Sequence, residues 1–219
     1  MSTTKSTSKT VGKGGSQRVR GQRWMDEHVA DPFVLQAKKD GYRSRAAYKI
    51  LELDQRDRLF RAGAVVVDLG AAPGSWSQVA ATRVGATGRV VAVDLLPIDP
   101  IVNVTILRGD ITTDPVIAQM DEALGGLAVD LVLSDMAPNI SGIAAADSAR
   151  QAGLVELAIE QSLRWLKPEG VLVVKMFQGV GFEDCVRQLR AAFKSVALRK
   201  PDASRGRSSE TFAVARGVR

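Results

Sequence analysis

Beyond Gly63 the chain alternates between apolar runs of strand length and segments with helical periodicity. This alternation is the feature that most limits the possible folds, because it favours an α/β sheet of mostly parallel strands with helices on both faces. The predicted strands are 64–69, 89–95, 103–108, 129–134, 170–177, 195–199 and 211–215. The predicted helices are 75–83, 114–124, 146–166 and 182–193. No helix separates the last two strands, so we expect them to pair antiparallel at one edge of a seven-stranded sheet.

The segment that precedes the sheet has a helical pattern instead. Apolar residues recur at helical spacing from Trp24 to Phe60, and Gly41 interrupts the pattern, which predicts two helices. A chain of 219 residues without an internal repeat is enough for one domain with a full-sized core. We therefore expect a single domain over 24–219, preceded by a disordered basic tail over 1–23.

The basic tail carries most of the charge excess. Residues 1–23 contain six lysines and arginines, no acid and little that a core could bury. The whole chain has a formal net charge of +6 and a sequence pI of about 9.7, which indicates a polyanionic partner. We interpret the tail as a non-specific nucleic-acid arm. A solubility tail and a transit peptide are the alternatives, although Val11 and Val19 are too few for an apolar face.

The rarest side chains exclude several kinds of site. Cys185 is the only cysteine and His28 the only histidine, so we expect no internal disulfide, no cysteine or histidine metal cluster and no His-based triad. The sequence also has no apolar run of transmembrane length. These features predict a cytoplasmic protein that needs no metal ion.

A loop of small residues follows the first predicted strand, in the stretch VVVDLGAAPGSWSQ (65–78). Ligands of doubly wound sheets bind at the carboxyl ends of strands, so this loop is a candidate binding site. It is not a P-loop, because no Gly-Lys-Ser/Thr follows it, and it lacks the G-x-G-x-x-G spacing of a dinucleotide site. Small side chains at this position instead let a ligand approach the backbone closely.

Two acids end the next two predicted strands. Asp94 is placed to bind a ribose diol, and Asp110 is placed to face an adenine amino group. Together with Gly74 they suit an adenosine that carries an amino-acid tail, which is S-adenosylmethionine. A single acid at a strand end is more often a loop or cap residue, but three strand ends in order favour the ligand interpretation.

Six stretches of the chain resemble one known family. The stretches are RSRAAYKI, VVDLGAAPGSWSQ, DLLPIDPI, SDMAPNISG, VVKMFQG and RKPDASRGRSSE. They are similar to the bacterial FtsJ/RlmE family, S-adenosylmethionine-dependent 2′-O-methyltransferases that act on a uridine of large-subunit ribosomal RNA. The resemblance runs from about Trp24 to Gly217. It implies a Rossmann-like class I methyltransferase fold, a monomer, no membrane contact and 23S ribosomal RNA or the large ribosomal subunit as partner.

The resemblance also implies the residues of the site. The S-adenosylmethionine contacts of the family fall on Gly74, Trp76, Asp94, Asp110 and Asp135. Its catalytic tetrad falls on Lys49, Asp135, Lys175 and Glu210. The family more often has glycine at Ser75 and an aromatic residue at Ala47; the first difference affects the cofactor loop and neither affects the tetrad. Core packing is the alternative role for Trp76.

These side chains suit methyl transfer to a ribose hydroxyl, which is a poor nucleophile until it loses its proton. In this interpretation a neutral Lys175 is the base and Lys49 is a second cation that favours the neutral form and holds the substrate. Asp135 orients Lys175 and the methyl donor, while Glu210 holds the lysine and the ribose. Both acids also oppose deprotonation of Lys175, and the sequence leaves open which effect prevails. Solvent-facing lysines with structural carboxylate partners are the alternative.

Basic residues flank the tetrad positions in the sequence. We interpret them as phosphate contacts, and an ordinary charged surface is the alternative. These residues are Arg43, Arg45, Arg199, Lys200, Arg205 and Arg207.

Other functions fit part of this pattern. Methylation of transfer RNA or of a messenger cap uses the same kind of tetrad, and a non-catalytic RNA-binding assembly factor would keep the fold without the activity. A nicotinamide oxidoreductase is disfavoured because its fingerprint is missing. A carbon methyltransferase needs a cysteine nucleophile, and Cys185 lies in a helical pattern without a chemical motif.

Overall fold

The computed structural model describes residues 31–138, 141–204 and 208–219. The predicted basic tail therefore lies outside the described residues. Two helices, α1 (Pro32–Lys39) and α2 (Ala46–Asp57), precede the sheet. The carboxylate of Asp31 caps α1 by accepting the N–H of Phe33 at 3.0 Å. Gly41 has a φ of +76° just after this helix, so the predicted division at this glycine is confirmed.

Seven strands form one sheet in the order β3-β2-β1-β4-β5-β7-β6. The strands are β1 (Val65–Leu69), β2 (Arg89–Asp94), β3 (Val104–Arg108), β4 (Val129–Ser134), β5 (Leu166–Phe177), β6 (Phe193–Arg199) and β7 (Glu210–Val218). Strands β1 to β5 are parallel, and β7 runs antiparallel to both β5 and β6. The predicted seven-stranded, mostly parallel sheet with an antiparallel edge is confirmed.

Helices cover both faces of the sheet, because alternate residues of each strand bury toward opposite sides. The helices are α3 (Ser75–Val84), α4 (Asp114–Leu124), α5 (Ala144–Trp165) and α6 (Phe182–Ala192), in addition to α1 and α2. Val65 and Val67 of β1 belong to a core cluster with α4, α5 and α6. Val66 belongs to a second cluster with α2 and α3.

The start of β5 differs from the sequence prediction. The strand begins at Leu166 instead of residue 170, directly after α5 ends at Trp165. Its register with β4 shifts between the pairs Val129–Leu166 and Leu131–Val171, so the intervening residues form an irregularity at the entry to the strand. The end of β5, which carries Lys175, keeps the predicted boundary at Phe177.

No helix in the described part of the chain is long and apolar enough to cross a membrane.

Candidate active site

A cleft of about 570 Å³ opens at the carboxyl ends of β1, β2, β3 and β4; we call it the strand-end cleft. The strand order places this edge beside the switch point between β1 and β4, where doubly wound sheets bind ligands. Its polar lining includes Asp94, Asp110 and Asp135, three of the five predicted cofactor residues. Its apolar lining includes Leu95 and Leu96, which are both 64% exposed. The cleft therefore combines carboxylates with apolar surface that is open to a ligand.

Two of the acids are fixed by their own loops. The carboxylate of Asp94 accepts the N–H of Ala72 at 2.9 Å and the N–H of Leu96 at 2.8 Å. Asp110 accepts the N–H and the hydroxyl of Thr112 at 2.9 and 2.7 Å, and these hydrogen bonds hold the pKa of Asp110 below its usual value. Both carboxylates are thus held in a defined orientation, and the lowered pKa of Asp110 keeps that carboxyl ionised.

The other two predicted cofactor residues are placed differently. Gly74 is the N-cap of α3 with a φ of +103°, and a Cβ there would lie 2.7 Å from Ile101 and 2.9 Å from the guanidinium of Arg43. This glycine is required by the packing of the loop. Trp76 is buried in the core, where its indole N–H donates to the carbonyl of Ala46 at 2.8 Å and its ring packs against Phe212. Neither Gly74 nor Trp76 lines the strand-end cleft.

The guanidinium of Arg43 joins two loops. It donates to the carbonyl of Pro73 at 2.9 Å, of Asp99 at 2.8 Å and of Pro100 at 2.8 Å. The backbone N–H of Arg43 also donates to the side chain of Gln78 at 2.9 Å. Arg43 therefore ties the loop before α3 to the loop after β2, instead of standing free for a phosphate.

The predicted tetrad forms two lysine–carboxylate pairs next to this cleft. Lys49 of α2 lies 2.8 Å from both oxygens of Glu210 at the start of β7, and both side chains are largely buried. The centroid of the Phe212 ring lies 5.8 Å from the Lys49 ammonium nitrogen. The hydroxyl of Ser204 donates to the same carboxylate at 2.8 Å. The Lys49–Glu210 pair joins residues that are 161 positions apart in the chain.

The second pair joins β5 to the end of β4. The Lys175 ammonium lies 3.0 Å from the Asp135 carboxylate and donates to the Asp135 carbonyl at 2.5 Å. Lys175 is only 8% exposed, so it is not a solvent-facing lysine. Its register partner on β7 is Phe212, next to the Lys49–Glu210 pair.

The pKa of Glu210 shows that the two pairs are electrostatically connected. Burial alone would raise the pKa of this carboxyl, but the hydrogen bond and charge of Lys49, the Ser204 hydroxyl and the charge of Lys175 together lower it. Glu210 is therefore an anion at neutral pH. The structure brings the four predicted tetrad residues into one cluster of charges.

Asp68 is a buried acid close to Asp94 and Asp135, and the sequence analysis did not single it out. It is fully buried near the end of β1, and Ser77 of α3 donates its hydroxyl to one carboxylate oxygen at 2.6 Å. The other oxygen has no hydrogen-bond partner among the described residues. Burial raises the pKa of Asp68 to about 7, and the charges of Asp135 and Asp94 raise it as well. An acid inside the apolar run VVVDL was the sequence signal for this residue.

The predicted phosphate contacts are mostly engaged within the protein. Arg45 pairs with Asp31 and donates to the carbonyl of Ala203 at 2.7 Å. Arg199 forms a two-point pair with Asp57, whose oxygens lie 2.7 and 2.8 Å away. The Lys200 ammonium donates to the carbonyl of Ser208 at 3.0 Å. Arg205 and Arg207 lie outside the described residues.

The described residues contain no group of three or more His, Cys, Asp or Glu side chains that could hold a metal ion. The acids of the strand-end cleft instead accept backbone N–H groups or pair with a lysine.

The sheet topology, the strand-end cleft and the adjoining charged cluster define a Rossmann-like methyltransferase domain. The family model of the FtsJ-like methyltransferases matches residues 42–218. The chain belongs to this family, and the match covers every strand and all four residues of the charged cluster.

Several known proteins are similar to the chain over most of its length. It is 54% identical over 197 residues to "Ribosomal RNA large subunit methyltransferase E" of Marinobacter nauticus, covering 90% of this chain and 95% of the relative. A protein of the same name from Azoarcus is 56% identical over 189 residues, covering 86% and 92%. A crystal structure described as a ribosomal RNA methyltransferase from Plasmodium falciparum has a TM-score of 0.72 and 28% identity, covering 81% and 98%.

Proposed function

We propose that the protein transfers a methyl group from S-adenosylmethionine to the ribose 2′-hydroxyl of a uridine in 23S ribosomal RNA. The observation that carries this proposal is the buried cluster of two lysine–carboxylate pairs beside a cleft of suitable size for the cofactor. The names of the relatives support ribosomal RNA of the large subunit as the substrate. We place the modified uridine in the A-loop and the protein in the cytoplasm, where the methylation contributes to maturation of the 50S subunit.

The strand-end cleft fits S-adenosylmethionine by the chemistry of its lining. We assign Asp94 to the ribose diol, Asp110 to the adenine amino group, and Leu95 and Leu96 to the apolar faces of the adenosine, since all four line the cleft. Gly70 also lines the cleft, and a Cβ there would lie 2.5 Å from the side chain of Met136. The first N–H groups of α3, which include that of Trp76, lack partners within the helix and suit the carboxylate of the amino-acid tail.

The cofactor supplies an activated methyl group on a sulfonium whose leaving group departs neutral. The protein must therefore align the acceptor oxygen and remove a proton. Alignment contributes on the order of 7–11 kcal/mol to such a reaction, and a general base contributes about 10²–10⁴-fold.

We assign the base to Lys175. A hydrogen bond to the Asp135 carbonyl and an ion pair with the Asp135 carboxylate hold its nitrogen in place for the 2′-hydroxyl. Asp135 also reaches the strand-end cleft, so it connects the base to the methyl donor. Lys49, held by Glu210, keeps a second positive charge in the cluster and binds the ribose. All four groups belong to one chain, so we expect a monomer to be active without a metal ion.

Labelled methyl transfer to separated ribosomal subunits and to free RNAs, followed by nucleotide mapping, tests this proposal. We expect label on the ribose of one uridine of 23S RNA, with and without a chelator. Label on a base, on transfer RNA or on no RNA would contradict it.

A further inference from the structure

A second cleft adjoins the charged cluster; we call it the Phe177 cleft. It has a volume of about 280 Å³, and its walls are the last residue of β5 with the loop that follows (177–180), the first two turns of α5 (144–151), Pro138 and Ser209. Asp135 and the two residues after it line the strand-end cleft, while Pro138 lines the Phe177 cleft. The segment from Asp135 to Pro138 therefore runs from one cleft to the other, and Asp135 at its start is paired with Lys175.

The Phe177 cleft has an aromatic wall and an apolar rim. The half-buried ring of Phe177 has its centroid 5.9 Å from the Lys175 ammonium, so this wall of the cleft begins directly beside the proposed general base, Lys175. Val180 is 75% exposed at the rim of the cleft. An aromatic face with exposed apolar neighbours is the surface on which unstacked nucleobases pack.

Gln151 is the polar group that points most directly to a ligand. This residue of α5 is only 9% exposed and lines the Phe177 cleft, and its side chain makes no hydrogen bond with any described residue. A carboxamide that lines a cleft without a protein partner keeps its donor and its acceptor free for a polar ligand. The walls around it are fixed, because the Ser148 hydroxyl donates to the Val180 carbonyl at 2.6 Å and the Gln178 N–H donates to the Ser209 carbonyl at 2.8 Å.

We propose that the Phe177 cleft binds the base of the acceptor nucleotide, an extruded pyrimidine that stacks on Phe177 and pairs with Gln151. This inference rests on the proposed function, since it takes the ribose to lie at Lys175. The base and the 2′-oxygen occupy neighbouring carbons of the ribose, so a ribose at Lys175 brings its base to the adjoining cleft. The carboxamide offers one donor and one acceptor, which match O4 and N3–H of uracil.

Two substitutions of Gln151 test the pairing on large ribosomal subunits that carry either uridine or cytidine at the mapped nucleotide. Gln151→Glu replaces the donor by an acceptor, which opposes uracil O4. The carboxylate accepts from the amino group of cytosine but opposes cytosine N3, so the preference for uridine should be lost. We expect the ratio of kcat/KM for uridine over cytidine to fall at least tenfold. Gln151→Leu should lower kcat/KM for uridine about fivefold, as expected for a lost hydrogen bond, without lowering Tm or cofactor affinity.

Gln161→Leu is the matched control, since Gln161 is also a buried glutamine of α5 but lines neither cleft. We expect it to leave the uridine-to-cytidine ratio unchanged. Equal losses on uridine and cytidine in the Gln151 variants, or no loss at all, would overturn the pairing while the proposed function stands. A wild-type protein that methylates no uridine would overturn both the pairing and the proposed function.

Discussion

The candidate active site has two sides at the carboxyl edge of the sheet, and different kinds of contact hold the residues of each side in place. On the side of β1, β2 and β3, Asp94 and Asp110 bind the N–H groups of residues in neighbouring loops, at most 22 positions away in the chain. On the side of β4, β5 and β7, the Lys49–Glu210 contact spans 161 positions and Lys175 reaches the carbonyl of Asp135 over 40 positions. We call these the cofactor side and the acceptor side.

This difference indicates that binding and chemistry can be altered separately. Each acid of the cofactor side is oriented by backbone N–H groups and not by the tetrad, so it keeps its place when the tetrad is changed. The charges of the acceptor side depend on one another, because removing one partner leaves a buried charge without its counterion. Substitutions on the two sides should therefore affect different steps.

Lys175→Arg should give the largest effect and should be confined to the acceptor side. A guanidinium keeps the charge but stays protonated, so it cannot accept the 2′ proton. We expect single-turnover methyl transfer to fall on the order of 10²-fold or more while cofactor affinity barely changes.

The control is Lys167→Arg, because Lys167 pairs with Asp130 near the other end of the same strand. It should leave the transfer rate unchanged. A near-normal rate for Lys175→Arg would show that Lys175 positions the substrate electrostatically and is not the base.

Asp68→Asn tests a buried acid whose pKa is raised by burial and by the charges of Asp135 and Asp94. The raised pKa of Asp68, about 7, means that the folded protein keeps a proton that the unfolded chain releases near pH 4. Unfolding then releases a proton, so the free energy of unfolding falls by about 1.4 kcal/mol per pH unit from pH 4 to pH 7. We expect the stability deficit of Asp68→Asn to shrink as the pH rises from 5 to 8.

Denaturant titrations at several pH values measure this slope. Asp110→Asn is the control, since the lowered pKa of Asp110 puts its titration below this range. Parallel stability curves for the wild type and Asp68→Asn would contradict the expectation.

Arg43→Ala should give a smaller effect on the cofactor side. It removes three hydrogen bonds that hold the loop around Gly74, so we expect about fivefold weaker cofactor binding by calorimetry. The salt dependence of RNA binding should not change, whereas loss of a phosphate contact would reduce its slope by about one. The exposed Arg56 of α2 provides a matched control, and Arg56→Ala should leave cofactor affinity intact.

Deletion of residues 1–20 should have the smallest effect and should change neither the cofactor side nor the acceptor side of the site. The segment carries positive charge without acids, so its loss should weaken RNA binding on the order of threefold at moderate salt and less at higher salt. Cofactor affinity should be unchanged. Equal RNA affinity at low salt for the full and shortened chains would show that the tail is not an RNA arm.

Local patterns were sufficient to predict most of the fold. Strand alternation and helical periodicity lie within short windows, so the seven strands were placed within a few residues of their observed bounds. The start of β5 was missed because the register irregularity after Leu166 depends on the partner strand. The capping of α1 by Asp31 and the break at Gly41 are also local.

The sequence by itself determined the sheet and the residue types at its carboxyl edge, because both follow from periodicity and from motifs of adjacent residues. Tertiary structure alone decided that Arg43 holds a loop, that Trp76 packs in the core and that Gln151 faces a cleft without a partner. A side chain's partners and burial depend on elements that are distant in the chain. The charge of Asp68 follows the same rule, since its pKa depends on how deeply the packed sheet and α3 bury it.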